Sequence, residues 1–169
     1  MSTSHPNLLF VFADQLRAQA TGFGGDPNAQ TPALDALAGS SVNLTHAVSG
    51  HPVCCPFRAS LLTGQYDTTH GVIINDVPIV PGAVGLGEAF KQGGFNTAYI
   101  GKWHAHGSPG GKLERRASFV PADKRFGFDT YFKGFECSHN CAISTYIAAC
   151  PTNTALPSDL PSLAWWAMS

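Results

Sequence analysis

The stretch "NLLFVFAD", residues 7–14, is a continuous apolar run that ends on a carboxylate. A half-buried strand alternates apolar and polar positions, and this run does not. It predicts a strand buried on both faces, as in a parallel sheet covered by helices. Asp14 then stands at the C-terminal end of that strand, where α/β sheets bind ligands. The same residue is equally suited to capping the following turn, and the sequence leaves both readings open.

A second β run, "FNTAYIG" (95–101), continues into Lys102, Trp103 and His104, so polar side chains again follow a strand end. Helical patterns separate the two. Thr31 is a candidate N-cap and Pro32 a first helical residue. Leu34, Leu37 and Ala38 share one face, and Gly39 can end the helix. Residues 56–65 predict a helix with Leu61 and Leu62 inward and Gly64 near its end. Leu86, Ala89 and Phe90 form another helical face, broken at Gly93 and Gly94. "VNLTHAV" (42–48) predicts a short strand. This alternation predicts an α/β fold, a mostly parallel sheet flanked by helices. Residues 106–125 are rich in glycine, proline and charge and predict a long loop. The aromatic run "FGFDTYFKGFE" (126–136) is expected to pack back on the domain. Residues 5–140 form the predicted domain. Residues 141–169 are an atypical tail in which Asp159 is the only charged residue.

Composition narrows the function. With 169 residues the chain is one domain or part of a larger one. It is 44% hydrophobic and 12% charged, with a formal net charge of −1. No basic stripe supports nucleic acid as a partner. The apolar run 8–13 is too short to span a bilayer, so no membrane segment is expected. The N-terminus "MSTSHPNLLF" lacks the basic start and long apolar core of a signal peptide, which makes a cytoplasmic location the expectation. "NLT" at Asn43 matches a glycosylation acceptor, a three-residue pattern common by chance.

Five cysteines remain to be read: Cys54, Cys55, Cys137, Cys141 and Cys150. Adjacent cysteines rarely bond to each other, because disulfide geometry strains the peptide between them. Cys137, His139 and Cys141 have the spacing of half a zinc clip, but no second ligand pair follows. In "GHPVCCPFRASLLTG" (50–64), Cys54 precedes a helix N-terminus, where backbone N–H groups favour an anion. Arg58 adds a planar fork for oxyanions. With Asp14, Lys102 and His104 at strand ends, these residues suggest a site for a charged oxyanion ester. The competing reading is that Cys54 and Cys55 are small buried core residues.

At these residues the chain resembles the type I sulfatases of the alkaline phosphatase superfamily. Their signature is Cys-x-Pro-Ser-Arg, two residues, an apolar pair and Thr-Gly. Here it reads Cys54, Cys55, Pro56, Phe57, Arg58, Ala59, Ser60, Leu61, Leu62, Thr63 and Gly64. "PNLLFVFADQLR" and "TAYIGKWH" are similar to the family's first metal-binding turn and its Gly-Lys-Trp-His stretch. The resemblance implies that a formylglycine-generating enzyme converts Cys54 to formylglycine, whose hydrate attacks the sulfur of a sulfate ester. It implies that Asp14, Gln15 and the modified Cys54 bind a divalent cation, usually calcium. It implies that Arg58 holds the formylglycine, that Lys102 touches the sulfate and that His104 positions or deprotonates the diol.

Two positions depart from the family pattern. Phe57 replaces the usual serine, and Gln15 stands where many relatives carry a second aspartate. The Asp-Gln version also occurs among relatives that cleave phosphonate or phosphate esters, so such a hydrolase is the alternative activity. Family members are longer, and their later half supplies further metal ligands. The loss of charge and periodicity after "ECSHN" (136–140) is therefore expected to mark a reading-frame or splice error or a premature end. An inactive truncated fragment is the corresponding alternative.

Overall fold

The computed structural model describes residues 6–79, 82, 84–108, 110, 118–137 and the backbone of 163–168. The chain divides into two compact units, Met1–Phe12 with Gly50–Ser169, and Ala13–Ser49.

The first unit is built on a parallel sheet. Strands β1 (Leu8–Phe12), β2 (Asn96–Lys102), β3 (Tyr131–Phe135) and β4 (Leu163–Met168) lie in the order β1-β4-β2-β3. All three pairings are parallel, with Leu8 opposite Ala164, Asn96 opposite Leu163 and Ala98 opposite Tyr131. This is the α/β architecture the alternation of runs predicts. The sheet's second position comes from residues 163–168, to which the sequence assigns no structural role.

Parallel pairing puts the C-terminal ends of the strands at one edge, where polar side chains can converge. At that edge the β2–β3 ladder runs past the strand ends. Trp103 N–H donates to the Phe135 carbonyl at 2.6 Å, and His104 N–H to the Glu136 carbonyl at 2.7 Å. Gly101 sits in β2 with φ +117°. A side chain is strained there, so the glycine permits the turn of the backbone between Ile100 and Lys102.

The prediction that β1 is buried on both faces is not met. Leu8, Leu9 and Val11 are exposed, while Phe10 and Phe12 are half-buried. The physical reason is position: β1 is an edge of this sheet, whereas β2 is interior and far better covered. Hydrophobicity alone does not distinguish the two. Phe12 packs edge-to-face on Phe10 and Phe57, with both centroid separations 5.5 Å.

The core gathers around Tyr99 and Trp103. Tyr99 stacks on Phe132 at 5.5 Å and meets Trp103 edge-on at 4.7 Å; Trp103 also meets Phe132 at 5.3 Å. Cys55, Ala59 and Leu62 close this cluster from helix α2 (Cys54–Thr63), with Val72, Val120 and Phe128 from loops. Burying each large apolar side chain contributes about 1.5–3 kcal/mol. The aromatic run after residue 126 packs back as expected, and part of it is β3.

Helix α2 starts two residues before the predicted start at Pro56, so Cys54 lies in its first turn rather than before it. Pro56 is tolerated because N–H groups of the first turn have no partner inside the helix. Gly64, at φ +66°, ends α2 and donates its N–H to the Ser60 carbonyl at 2.8 Å. A short helix α3 (Asp67–His70) follows. His70 accepts the Val72 N–H at Nδ1 (3.1 Å), so Nε2 carries the ring proton and donates to Ser60 Oγ at 2.9 Å. His70 thus organises the turn after α3. Helix α4 (Leu86–Gln92) ends at Gly93, and Glu88 accepts the Gly85 N–H at 2.7 Å.

The second unit contains helix α1 (Pro32–Ser40), at the predicted place. Thr31 does not cap it with its side chain. Its hydroxyl accepts the Gly22 N–H at 2.8 Å and donates to Asp35 at 2.9 Å. The predicted strand 42–48 is absent: the chain turns at Thr45–His46, and Val42, Leu44 and Val48 are exposed. A short apolar alternation without a pairing partner does not hold a strand. Local contacts prevail there instead, among them Thr45 Oγ1 to His46 Nδ1 at 2.9 Å.

Candidate active site

Four of the predicted residues meet in the first unit. Cys54, in the first turn of α2, is half-buried and carries a thiol. Lys102, the last residue of β2, reaches it with Nζ 3.5 Å from Sγ. Arg58 lies one turn further along α2, 2% exposed, and donates to the Lys102 carbonyl at 2.7 Å and to Tyr99 Oη at 3.4 Å. The Tyr99 hydroxyl donates to the same carbonyl. The Arg58 guanidinium also faces the Phe12 ring, 5.4 Å from its centroid. A buried charge held this way is fixed in place, because its hydrogen bonds replace solvent.

His104 follows β2 by two residues and is fully buried. Its Nε2 lies 3.3 Å from Asp76 Oδ1. Burial pushes the imidazole pKa down to about 4; Lys102 and then Arg58 push the same way, and Asp76 opposes them. The ring is therefore neutral at neutral pH. Both His104 (φ +46°) and Asp76 (φ +64°) occupy the left-handed region, which is uncommon for residues other than glycine.

Residues 75 and 76 tie these pieces together. Asn75 Oδ1 accepts the Cys55 N–H at 2.9 Å, satisfying a donor of the first turn of α2. Asp76 N–H donates to Cys55 Sγ at 3.2 Å, and Ser108 N–H donates to the Asp76 carbonyl at 2.6 Å. The two adjacent cysteines thus differ in kind. Cys55 is 1% exposed, and burial pushes its thiol up to about 12. It is an inert core group, whereas Cys54 is half-buried beside Lys102 Nζ.

A further carboxylate stands at the end of β3. Glu136, 2% exposed, accepts the N–H groups of His106 (3.0 Å) and Gly107 (2.9 Å), and so holds the loop that follows His104. Sequence reasoning did not single it out. The signal was nonetheless present: Glu136 follows the strand run "YFKGF", just as Asp14 follows the run 8–13. Nothing local in "IIND" announces the contact of Asp76 with a residue 28 positions away.

Asp14 and Gln15 belong to the second unit, where both are exposed and lie in a bend just beyond β1. Calcium takes six to eight oxygen ligands. Among the described residues, no three His, Cys, Asp or Glu side chains converge as a metal-binding group. His139 and Cys141 of the zinc-clip reading lie outside the described residues. No helix among the described residues is long and apolar enough to cross a membrane.

The chain is similar to known proteins over most of its length. The Sulfatase family profile matches residues 6–157. An ulvan-active sulfatase of Formosa agariphila is 49% identical over 135 residues, covering 80% of this chain and 25% of that protein. A Bacteroides thetaiotaomicron structure from work on glycosaminoglycan metabolism superposes with a TM-score of 0.70 at 32% identity, covering 79% of this chain and 33% of that one. A phosphonate monoester hydrolase of Agrobacterium radiobacter superposes with a TM-score of 0.59 at 26% identity, covering 77% of this chain and 26% of that one. The chain thus spans a quarter to a third of the length of these relatives. Profile, relatives and parallel sheet agree, and the chain belongs to the sulfatase family.

Proposed function

We propose that the chain carries the nucleophile-bearing part of a sulfuric ester hydrolase that acts through a formylglycine made from Cys54. The observation that carries this is the convergence of the half-buried Cys54 Sγ with Lys102 Nζ, 3.5 Å away, at the first turn of α2. A hydrated aldehyde at this position supplies a nucleophilic oxygen and a second hydroxyl whose collapse to the aldehyde can expel sulfate. A thiol or a serine hydroxyl lacks that second route.

The chain's own residues then have distinct tasks. Lys102 and the positive end of the α2 dipole offset the negative charge that gathers on the sulfate oxygens in the transition state. Arg58, locked beneath the strand end, fixes the position of residue 54 and of the Lys102 backbone. His104 is neutral and buried, and takes the proton of the free hydroxyl at residue 54, whose oxygen becomes the aldehyde carbonyl as the carbon–oxygen bond to sulfate breaks. Asp14 and Gln15 are the proposed oxygen donors to a divalent cation, calcium by family resemblance. No step here runs through it. The 49% identity with an ulvan-active sulfatase supports a sulfated polysaccharide as the substrate class.

A phosphonate or phosphate ester hydrolase is the second reading, favoured by the similarity to the phosphonate monoester hydrolase and by Gln15 after Asp14. Parallel assays of aryl sulfate and aryl phosphate hydrolysis separate the two, using chain coexpressed with a formylglycine-generating enzyme and supplied with calcium. Preference for the sulfate supports the proposal, preference for the phosphate supports the second reading, and turnover of neither supports an inactive fragment.

A further inference from the structure

We propose that Asp76 is a positioning residue that holds His104 as the Nε2–H tautomer and thereby reserves Nδ1 as the proton acceptor for the hydroxyl at residue 54. This rests on the formylglycine reading above and adds to it a residue outside the motifs that carry the family resemblance.

Four observations carry it. With Asp76 ionised, its carboxylate only accepts hydrogen bonds, and the 3.3 Å contact between Asp76 Oδ1 and His104 Nε2 then puts the proton on Nε2. The neutral ring then has its lone pair on Nδ1. That atom is buried and has no hydrogen-bond partner among the described residues. A buried polar atom without a partner is rare in a native fold, and a hydroxyl brought to it satisfies it.

The contact also has unusual backbone support. Asp76 and His104 are both left-handed, at φ +64° and +46°. Such conformations persist only where the surroundings over-determine them, and they cluster at active sites. Here Asp76 is gripped by Ser108 and Cys55, and His104 by the Glu136 carbonyl. Cys55 neighbours residue 54, so one segment fixes the base relative to the nucleophile's helix.

The proton balance is simple. The hydroxyl O–H bond breaks and an Nδ1–H bond forms; the freed electron pair makes the aldehyde C=O as the carbon–oxygen bond to sulfate breaks, and sulfate leaves with the oxygen of that bond. The ring becomes an imidazolium whose Nε2–H still faces the Asp76 carboxylate, which stabilises the new positive charge. The proton leaves to water once sulfate has gone.

The test is a long-range 15N–1H correlation spectrum of the full chain labelled with 15N-histidine, with His104 assigned by its absence in His104→Gln. The expected result is a dominant Nε2–H tautomer with a bare Nδ1 in the wild type, and loss of that dominance in Asp76→Asn. Where both proteins are turning over aryl sulfate, kcat should fall in Asp76→Asn with KM unchanged. A wild-type ring protonated on Nδ1, or a tautomer unchanged in Asp76→Asn, overturns the proposal. Should Asp76→Asn not fold, the wild-type tautomer decides. The aldehyde at residue 54, measured separately, reports on the formylglycine reading: its absence removes that reading and leaves the tautomer result standing.

Discussion

Glu136 offers a stability test that does not depend on catalysis. Its carboxyl pKa is pushed up to about 7 from an ordinary 4.5. Burial is the main cause; the Gly107, His106 and Ala105 amides oppose it, and Asp76 adds to it. A carboxyl whose pKa is higher in the folded chain binds its proton more tightly there than in the unfolded chain. Folding therefore loses stability as pH rises from 4.5 to about 7, and the loss is complete above that. A shift from 4.5 to about 7, at 1.36 kcal/mol per unit, makes this loss about 3 kcal/mol.

His104 acts in the opposite sense. Its pKa, lowered to about 4, makes folding lose stability as pH falls from 6.5 toward 4. The wild-type profile alone therefore mixes the two. Glu136→Gln isolates the carboxyl, because both proteins share His104. Urea denaturation at a series of pH values gives the stability of each. The wild type minus Glu136→Gln difference should fall by about 3 kcal/mol between pH 4.5 and about pH 8. A difference that stays constant over that range refutes the argument that the carboxyl is desolvated in the loop after His104.

Three other outcomes follow from the geometry. Iodoacetamide on the native, unmodified protein should alkylate Cys54 well before Cys55, because only Cys54 is accessible and Cys55 is held as a thiol; peptide mapping reads the ratio, and equal labelling contradicts the buried assignment. Trp103→Ala should cost about 3–5 kcal/mol in chemical denaturation, since the ring is fully buried against Tyr99 and Phe132. A loss under 1 kcal/mol counts against its place in the core. Lys102→Gln should lower aryl sulfate kcat by about 10²–10³-fold if its ammonium stabilises transition-state charge. An unchanged kcat removes that role.

The sequence made the α/β class, three of the helices and the β2 run legible, because each rests on local periodicity and on glycine or proline punctuation. Burial was less legible. The run 8–12 is as apolar as an interior strand, yet it lies at the sheet edge, and partner order is not a local property. Strand β4 was missed for the related reason that "LAWWAM" declares itself only through its neighbours. In the site, Cys54, Arg58, Lys102 and His104 could be read because motif spacing fixes them on α2 and at the end of β2. Asp76 and Glu136 could not be ranked, because their importance lies in contacts made across 28 to 30 residues of chain.

The most direct measurement is peptide mass spectrometry across residue 54, on chain coexpressed with a formylglycine-generating enzyme. The account predicts that Cys54 is replaced by an aldehyde that reacts with hydrazide reagents, and that Cys55 in the same peptide remains a thiol. An unmodified thiol at Cys54 in every molecule would contradict it.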